Sequence, residues 1–167
     1  DRINRAIKRA AGHPADTPVY STITPAKPGI PTMHSVPSSL VKTPALDDWV
    51  AFNNDGTVTL FTGKMEMGQD LRTSIAMIGA EELNVNLERI RIIMADTERS
   101  PDEGYTASSM SLETSGNAMR YAAAEIRHIT LSIVSEEFEV PVEQLIVEDG
   151  HIKDPLTGPT MTYWDLF

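Results

Sequence analysis

Lys64–Ser74, "KMEMGQDLRTS", places a Gly-Gln pair where strand-forming residues hand over to a helical pattern. Gly68 can take a positive φ or let a ligand come close to the backbone. Gln69 carries two amide donors and one carbonyl acceptor. Asp70 is placed to cap the helix that follows, its carboxylate accepting free N–H groups of the first turn. Such a turn serves an ordinary strand-to-helix corner or the grip on an anionic cofactor, and local chemistry leaves both open. A second set of donors lies downstream. "TASSMS" packs Thr106, Ser108, Ser109 and Ser111 into six residues ahead of a helix start. Successive backbone N–H groups, hydroxyls and a helix N-terminus together make a nest for phosphate. The plain alternative is a solvated Ser/Thr loop with a capping residue. It is not a P-loop, since no G-x-x-x-x-G-K-S/T run occurs. The serines have no obvious His partner for a nucleophilic role, and His128 falls on a helical stretch, where it reads as structural.

These stretches need a scaffold. "WVAFNNDGTVTLFTG" predicts a β-hairpin, with Trp49–Phe52 and Thr57–Thr62 joined through Asn-Asn-Asp-Gly. Asp70–Leu83 has helical spacing, with Leu71, Ile75, Ile78 and Glu82 on one stripe. "RIRIIMA" predicts a third strand. Ala118, Ala122, Ile126, Ile129 and Ile133 mark a long second helix, starting after Thr114 or Ser115 and closing near Phe138. "LIVEDGHI" returns as a strand and a turn. "AEELNVNLERIRII" at Ala80 repeats as "SEEFEVPVEQLIVE" at Ser135, an offset of 55 residues. Two helix–turn–strand units imply an α/β or α+β fold in two layers, with helices on one face of a sheet. Between the units, the polar segment Ala95–Gly116 is long for a connection, and such loops are usually functional or disordered.

Residues 1–45 read as a separate N-terminal region, and 46–167 as the domain. Arg2–Ala11 predicts a short basic helix. His13–Pro44 holds seven of the eleven prolines, a composition that resists helix and sheet and predicts an extended arm. At 167 residues the chain can build one real core. Its net charge of −10 argues against nucleic acid, whose phosphates need a basic face. No apolar run is long enough to predict a membrane span. With no cysteine, the chain can ligate no iron–sulfur cluster of its own, and the compartment stays open. A start at Asp1 without methionine and an end at "MTYWDLF", where Thr160 or Thr162 would cap a helix barely begun, suggest a piece of something longer.

The stretch "GKMEMGQDLRTSIAMIGAEELNVNLERIRIIMADTERSPDEGYTASSMSLETSGNAMR" closely resembles the molybdopterin-binding subunit of the xanthine dehydrogenase and aldehyde oxidase family. The likeness is greatest to the bacterial branch of isoquinoline 1-oxidoreductase and nicotinate dehydrogenase large subunits, and leaves a cytoplasmic or periplasmic location open. It runs from about Asp48 to Leu166. Gly-Gln is weak alone, but Gly-Gln followed at this distance by "DEGYTASSMS" and "SG" is specific. The resemblance implies cofactor contacts at Gly68 and Gln69, the glutamine reaching the pterin beside the molybdenum. It implies that Ser108, Ser109, Met110 and Ser111 bind the pterin's terminal phosphate. The cofactor would be molybdopterin, free or as its cytosine dinucleotide, with molybdenum.

Further expectations follow from that resemblance. The family usually has glycine where this chain has Asp70, so the carboxylate is expected to turn into the helix cap. The family's glycine-rich "GGFGG"-type segment and catalytic glutamate have no counterpart, and Glu66 matches a structural position, so no catalytic residue is assigned. No protein ligand to metal is assigned either, since dithiolene sulfurs of the pterin hold molybdenum in this family. The implied activity is oxidation of an N-heterocycle or aldehyde with water as the oxygen source. Implied partners are the small-molecule substrate, the remaining molybdopterin-binding half or subunit, and a subunit carrying 2Fe–2S clusters. The chain alone is expected to be inactive. A non-catalytic assembly module of the same fold, binding no cofactor, is the rival from another class.

Overall fold

The computed structural model describes residues 36–156 and 158–166. The expected basic helix and most of the proline-rich arm lie outside them. The last part of that arm is not extended. Pro37 immediately precedes a short helix, α1 (Ser38–Lys42), where its missing N–H costs nothing, and burial of Leu40 holds the turn against the core.

The hairpin forms as the turn residues dictate. β1 (Val50–Phe52) pairs antiparallel with β2 (Val58–Thr62), Val50 opposite Leu60 and Phe52 opposite Val58. Asn53 ties the turn, its amide donating to the Thr57 and Thr59 hydroxyls at 2.9 Å. The chain then crosses through helix α2 (Leu71–Leu83) and a single 3-10 turn at Leu87–Arg89 into β3 (Ile90–Met94). β3 lies parallel to β2, in register from Val58–Ile90 to Thr62–Met94. Parallel neighbours need such a crossover. α2 sits so close to β2 that a Cβ at Gly79 would collide with Leu60.

The second long helix, α3 (Asn117–Phe138), packs along α2. A five-residue π-helical turn, Leu112–Gly116, opens it. Its buried face is Ala118, Met119, Ala122, Ala123, Ile126, Thr130 and Val134. Ile129 and Ile133 of the expected stripe are only half-buried, because the apolar surface drifts round to Thr130 and Val134 at the far end. β4 (Ile146–Glu148), β5 (His151–Lys153) and β6 (Thr160–Thr162) follow, then α4 (Tyr163–Leu166). Thr162 and Asp165 cap α4 reciprocally. The Asp165 carboxylate accepts from the Thr162 N–H and hydroxyl, and the Asp165 N–H donates to Thr162 Oγ.

The sequence repeat is a structural one. α2 and α3 both end on a left-handed residue, Asn84 at φ 53° and Glu139 at φ 57°. In each, the next N–H returns to the helix, Val85 to the Ala80 carbonyl and Val140 to that of Ser135. A 3-10 turn and a strand follow both times. The fold is mixed α and β as expected, but the strands divide. β1–β2–β3 make one sheet and the antiparallel β4–β5–β6 another.

The two sheets meet where the first unit turns. The Asn84 side chain donates to Val147 O at 2.8 Å, and Gly150 N–H returns to Asn84 O at 3.0 Å. Arg89 donates to both oxygens of Asp149, at 2.9 and 3.0 Å, and to Gly56 O. That guanidinium holds the Asp149 carboxyl below the usual range and lies 5.0 Å from the Trp164 ring centroid. Tyr163, fully buried, donates its hydroxyl to Leu83 O at 2.8 Å, satisfying a carbonyl at the end of α2.

Burial pushes the Tyr163 phenol up from 10.0 to about 12. The folded pKa is raised, so the stability of the neutral phenol is complete below the unfolded value and lost as pH rises through the folded one. Thermal unfolding should therefore show a midpoint falling between pH 10 and 12 in the wild type, and a shallower fall in Tyr163→Phe. At neutral pH that substitution should cost about 1 kcal/mol for the lost hydrogen bond.

Candidate functional site

Because β2 and β3 run in the same direction and pair Thr62 with Met94, both chains leave the sheet at the same end. The loop 63–70 departs there toward the start of α2. The loop 95–111 departs there toward the start of α3. Carboxyl ends of parallel strands, with helix N-termini beside them, are where open α/β sheets take ligands. A cleft of about 360 Å³ opens between these loops, lined by Met67, Gly68, Gln69, Thr106, Ser108, Ser109 and Ser111 among others. Gly68, Gln69 and three of the four expected phosphate-loop residues thus share one concavity. Met110 is half-exposed at 47% and is not among its lining residues.

The Gly-Gln loop is built from its own side chains. Gln69 Oε1 accepts the Met67 N–H at 2.6 Å, and its Nε2 donates to Met65 O at 2.8 Å. One N–H and one lone pair of the amide are left for another group. Gly68 sits at φ 97°, with nothing within 4 Å of where a Cβ would stand. Its open side therefore admits a ligand close to the backbone.

The expected cap is corrected here. Asp70 makes no side-chain cap to the backbone of α2; its carboxylate accepts the Thr73 hydroxyl at 2.7 Å. Glu66 does the capping. Its Oε1 accepts from Gly68 and Asp70 N–H at 2.7 and 3.1 Å, and its Oε2 from Arg72 N–H at 3.0 Å. Those bonds, Arg72's foremost, hold the Glu66 carboxyl below its ordinary range. Asp70 cannot do this because its own backbone is left-handed, at φ 58°, which also accounts for glycine suiting that position.

The serine loop differs. Ser108 and Ser109 are consecutive left-handed residues, at φ 58° and 55°. Such backbone is sparsely populated by non-glycine residues and clusters at functional sites. Among the described residues, no hydrogen bond engages the hydroxyls of Ser108, Ser109 or Ser111. The π-helical turn, itself a feature common at functional sites, follows at once. No arginine or lysine lines the cleft. His128 lies exposed on α3 and is not among the lining residues.

Sequence reasoning missed the residues that hold the two loops together. Glu103 Oε2 accepts the Thr62 hydroxyl at 2.6 Å and the Gly63 N–H at 2.8 Å. Lys64 Nζ donates to Glu103 O and Tyr105 O, each at 2.7 Å. Thr106 Oγ accepts the Met65 N–H at 2.8 Å. A Cβ on Gly63 would collide with the Pro101 carbonyl, so only glycine lets the segments approach. The nearest signal was the unusual length of the polar segment, which carries no periodicity.

Two substitutions should move stability in opposite directions. Asp70→Gly should raise it by up to about 1 kcal/mol by removing left-handed strain. Glu66→Ala should lower it and speed amide exchange at residues 68–72, where the capped N–H groups lie. Chemical denaturation and hydrogen–deuterium exchange of the two variants check both directions.

The chain matches the molybdopterin cofactor-binding domain family over residues 24–166. It is 34% identical over 148 residues to a subunit of nicotinate dehydrogenase from Pseudomonas putida, an alignment covering 89% of this chain and 12% of that protein. It is 26% identical over 142 residues to the beta subunit of isoquinoline 1-oxidoreductase from Brevundimonas diminuta, covering 81% of this chain and 18% of that protein. CO dehydrogenase from Oligotropha carboxidovorans shares the fold with a TM-score of 0.60 and 26% identity, over 70% of this chain and 15% of that one. The chain therefore spans 12–18% of the length of these relatives. The family match takes in both cleft loops and both helix–turn–strand units, and the chain belongs to the molybdopterin cofactor-binding domain family.

Proposed function

We propose that this chain forms one wall of the molybdopterin cleft of a molybdenum hydroxylase. The observation that carries the reading is the convergence of the Gln69 loop and the serine loop on one cleft at the carboxyl end of β2 and β3. The donor set fits a phosphorylated pterin. Unengaged hydroxyls and backbone N–H groups of the serine loop suit phosphate oxygens, and the dipole at the start of α3 favours negative charge without a basic side chain. The open face of Gly68 leaves room for the body of the group. Ser109 and Ser111 would hold the terminal phosphate by their hydroxyls, with Ser108 contributing its backbone N–H, while the Met110 N–H is turned to Ala107 O at 3.3 Å. Gln69 would use its remaining amide N–H to orient the pterin beside the metal.

When bound, the molybdenum–pterin group supplies the two-electron oxidation and the incorporation of oxygen from water. This chain's residues bind and orient. The relatives named for nicotinate and isoquinoline make an N-heterocycle the favoured substrate class, with an aldehyde as the other. The rest of the cleft would come from the remaining molybdopterin-binding half or subunit. Electrons would leave through 2Fe–2S clusters on a partner protein, because this chain has no cysteine to hold them. The cofactor would be molybdopterin, free or as its cytosine dinucleotide. Neither the family match nor the relatives support an assembly module without cofactor.

A hydrogen bond to a charged acceptor contributes roughly 1.5–3 kcal/mol, so loss of two should weaken retention at least about tenfold. Replacing Ser109 and Ser111 together by alanine in the assembled enzyme should lower its pterin content with the circular dichroism spectrum unchanged. Full pterin content in that double variant would reduce the loop to a solvated connection.

A further inference from the structure

Lys64 is 5% exposed, a burial rare for lysine. Among the described residues no carboxylate pairs with its ammonium. The charge is held by two main-chain carbonyls, those of Glu103 and Tyr105. Burying a charge is costly, and an apolar side chain of the same length would fill the space without that cost. The lysine is therefore to be understood through what it grips. The grip is reciprocal. Lys64 reaches from the end of β2 into the segment after β3, and Glu103 reaches back from that segment to Thr62 and Gly63. Its other oxygen, Oε1, is buried and unpartnered, so the carboxylate is placed for this contact. Thr106 adds a tie to Met65 N–H. The ties cover residues 62–65 on one side and 103–106 on the other. Gln69 lies a few residues beyond one side, and Ser108 begins two residues beyond the other.

We infer that Lys64 and Glu103 are positioning residues, which set the distance between Gln69 and the serine loop and so the width of the cleft. Lys64 also lends charge. Its ammonium binds the carbonyl end of the Tyr105–Thr106 peptide, and in a trans peptide the N–H lies on the opposite side. That N–H belongs to Thr106, which lines the cleft. Polarisation through the hydrogen-bonded peptide strengthens it as a donor. An acidic chain thereby keeps one fixed cation behind a cleft that has none in its wall.

The inference rests on the reading that the cleft holds the pterin phosphate, and its test separates the two. The variants are Lys64→Met, which preserves length without charge, and Thr106→Val, which cuts only the tie to Met65 on exposed backbone. Each is compared in the assembled enzyme with wild type and with the Ser109→Ala/Ser111→Ala pair. Pterin content and amide exchange at residues 65–70 and 103–111 are the readouts. Lys64→Met should retain less pterin than wild type, because the loops that hold it lose two charge-assisted ties, and exchange faster in both segments. Thr106→Val should speed exchange in both segments to a smaller degree. The serine pair should lose pterin with little change in exchange at 65–70. Normal pterin content and exchange in Lys64→Met, with pterin lost in the serine pair, would overturn the positioning role and leave the cleft reading intact. Faster exchange in Lys64→Met, with pterin unaffected in the serine pair, would uphold the clamp and sink the phosphate reading. Should Lys64→Met fail to assemble, unchanged exchange in both segments of Thr106→Val would overturn the clamp.

Discussion

β2 and β3 are joined by a loop, a helix and a turn, yet they lie side by side in the same direction over five residue pairs. Parallel pairing makes the positions of the two cleft loops a consequence of backbone hydrogen bonding. An antiparallel arrangement would have sent the Gln69 loop and the serine loop to opposite ends of the sheet. The crossover has to bury α2 against the strands it connects, and the missing side chain of Gly79 allows that helix to sit directly on Leu60. α3 then packs on α2, which carries the start of the second helix to the same end as the first. The cleft is thus a property of one strand pair and two helix starts.

The end of the first unit supports this arrangement from behind. A left-handed residue stops α2 at Asn84, and the freed side chain and carbonyl bind the β4–β5 turn. Arg89 faces Asp149, Gly56 and Trp164 together, so one guanidinium joins both sheets and the first hairpin. Its ion pair is partly exposed, and such pairs contribute little alone. Its planar, multiply bonded geometry contributes specificity, fixing which turn meets which strand. Tyr163 closes the junction on the inside, where its aromatic ring touches Phe52 and its hydroxyl satisfies the last turn of α2.

Much of this was legible along the chain, for physical reasons that differ by element. The hairpin announced itself through Asn-Asn-Asp-Gly, because left-handed turn positions admit few residue types. The repeat was legible because helix end, 3-10 turn and strand start each impose their own local pattern twice. Division into two sheets was not legible, since strand partners are chosen by distant contacts such as Arg89 with Asp149. In the site, local chemistry left the Gln69 turn and the serine loop open between a ligand grip and an ordinary corner or solvated loop, and only the resemblance implied cofactor contacts there. The cap could not be assigned correctly, because it depends on which residue turns left-handed. Asp70 takes that conformation, and Glu66, four residues earlier, curls back to cover the N–H groups. Lys64 and Glu103 carry no local signature, as each acts on backbone about forty residues away.

The two helix starts at the cleft are alike in position and opposite in state. That of α2 is already neutralised by the Glu66 carboxylate, held in its charged form by three N–H groups. An anion placed there would displace or repel it. Entry to α3 is preceded by two serines in strained left-handed backbone, with hydroxyls that no described residue engages. Strain of this kind costs about 1–2 kcal/mol per residue and persists only where surrounding contacts impose it. Across the two serines the Met110 N–H returns to Ala107 O, and just before them the Lys64 ammonium binds the carbonyls of Glu103 and Tyr105. The α2 start therefore carries a carboxylate, and the serine loop carries free hydroxyls. The amide of Gln69, neutral and half-engaged by Met67 N–H and Met65 O, keeps one N–H and one lone pair free.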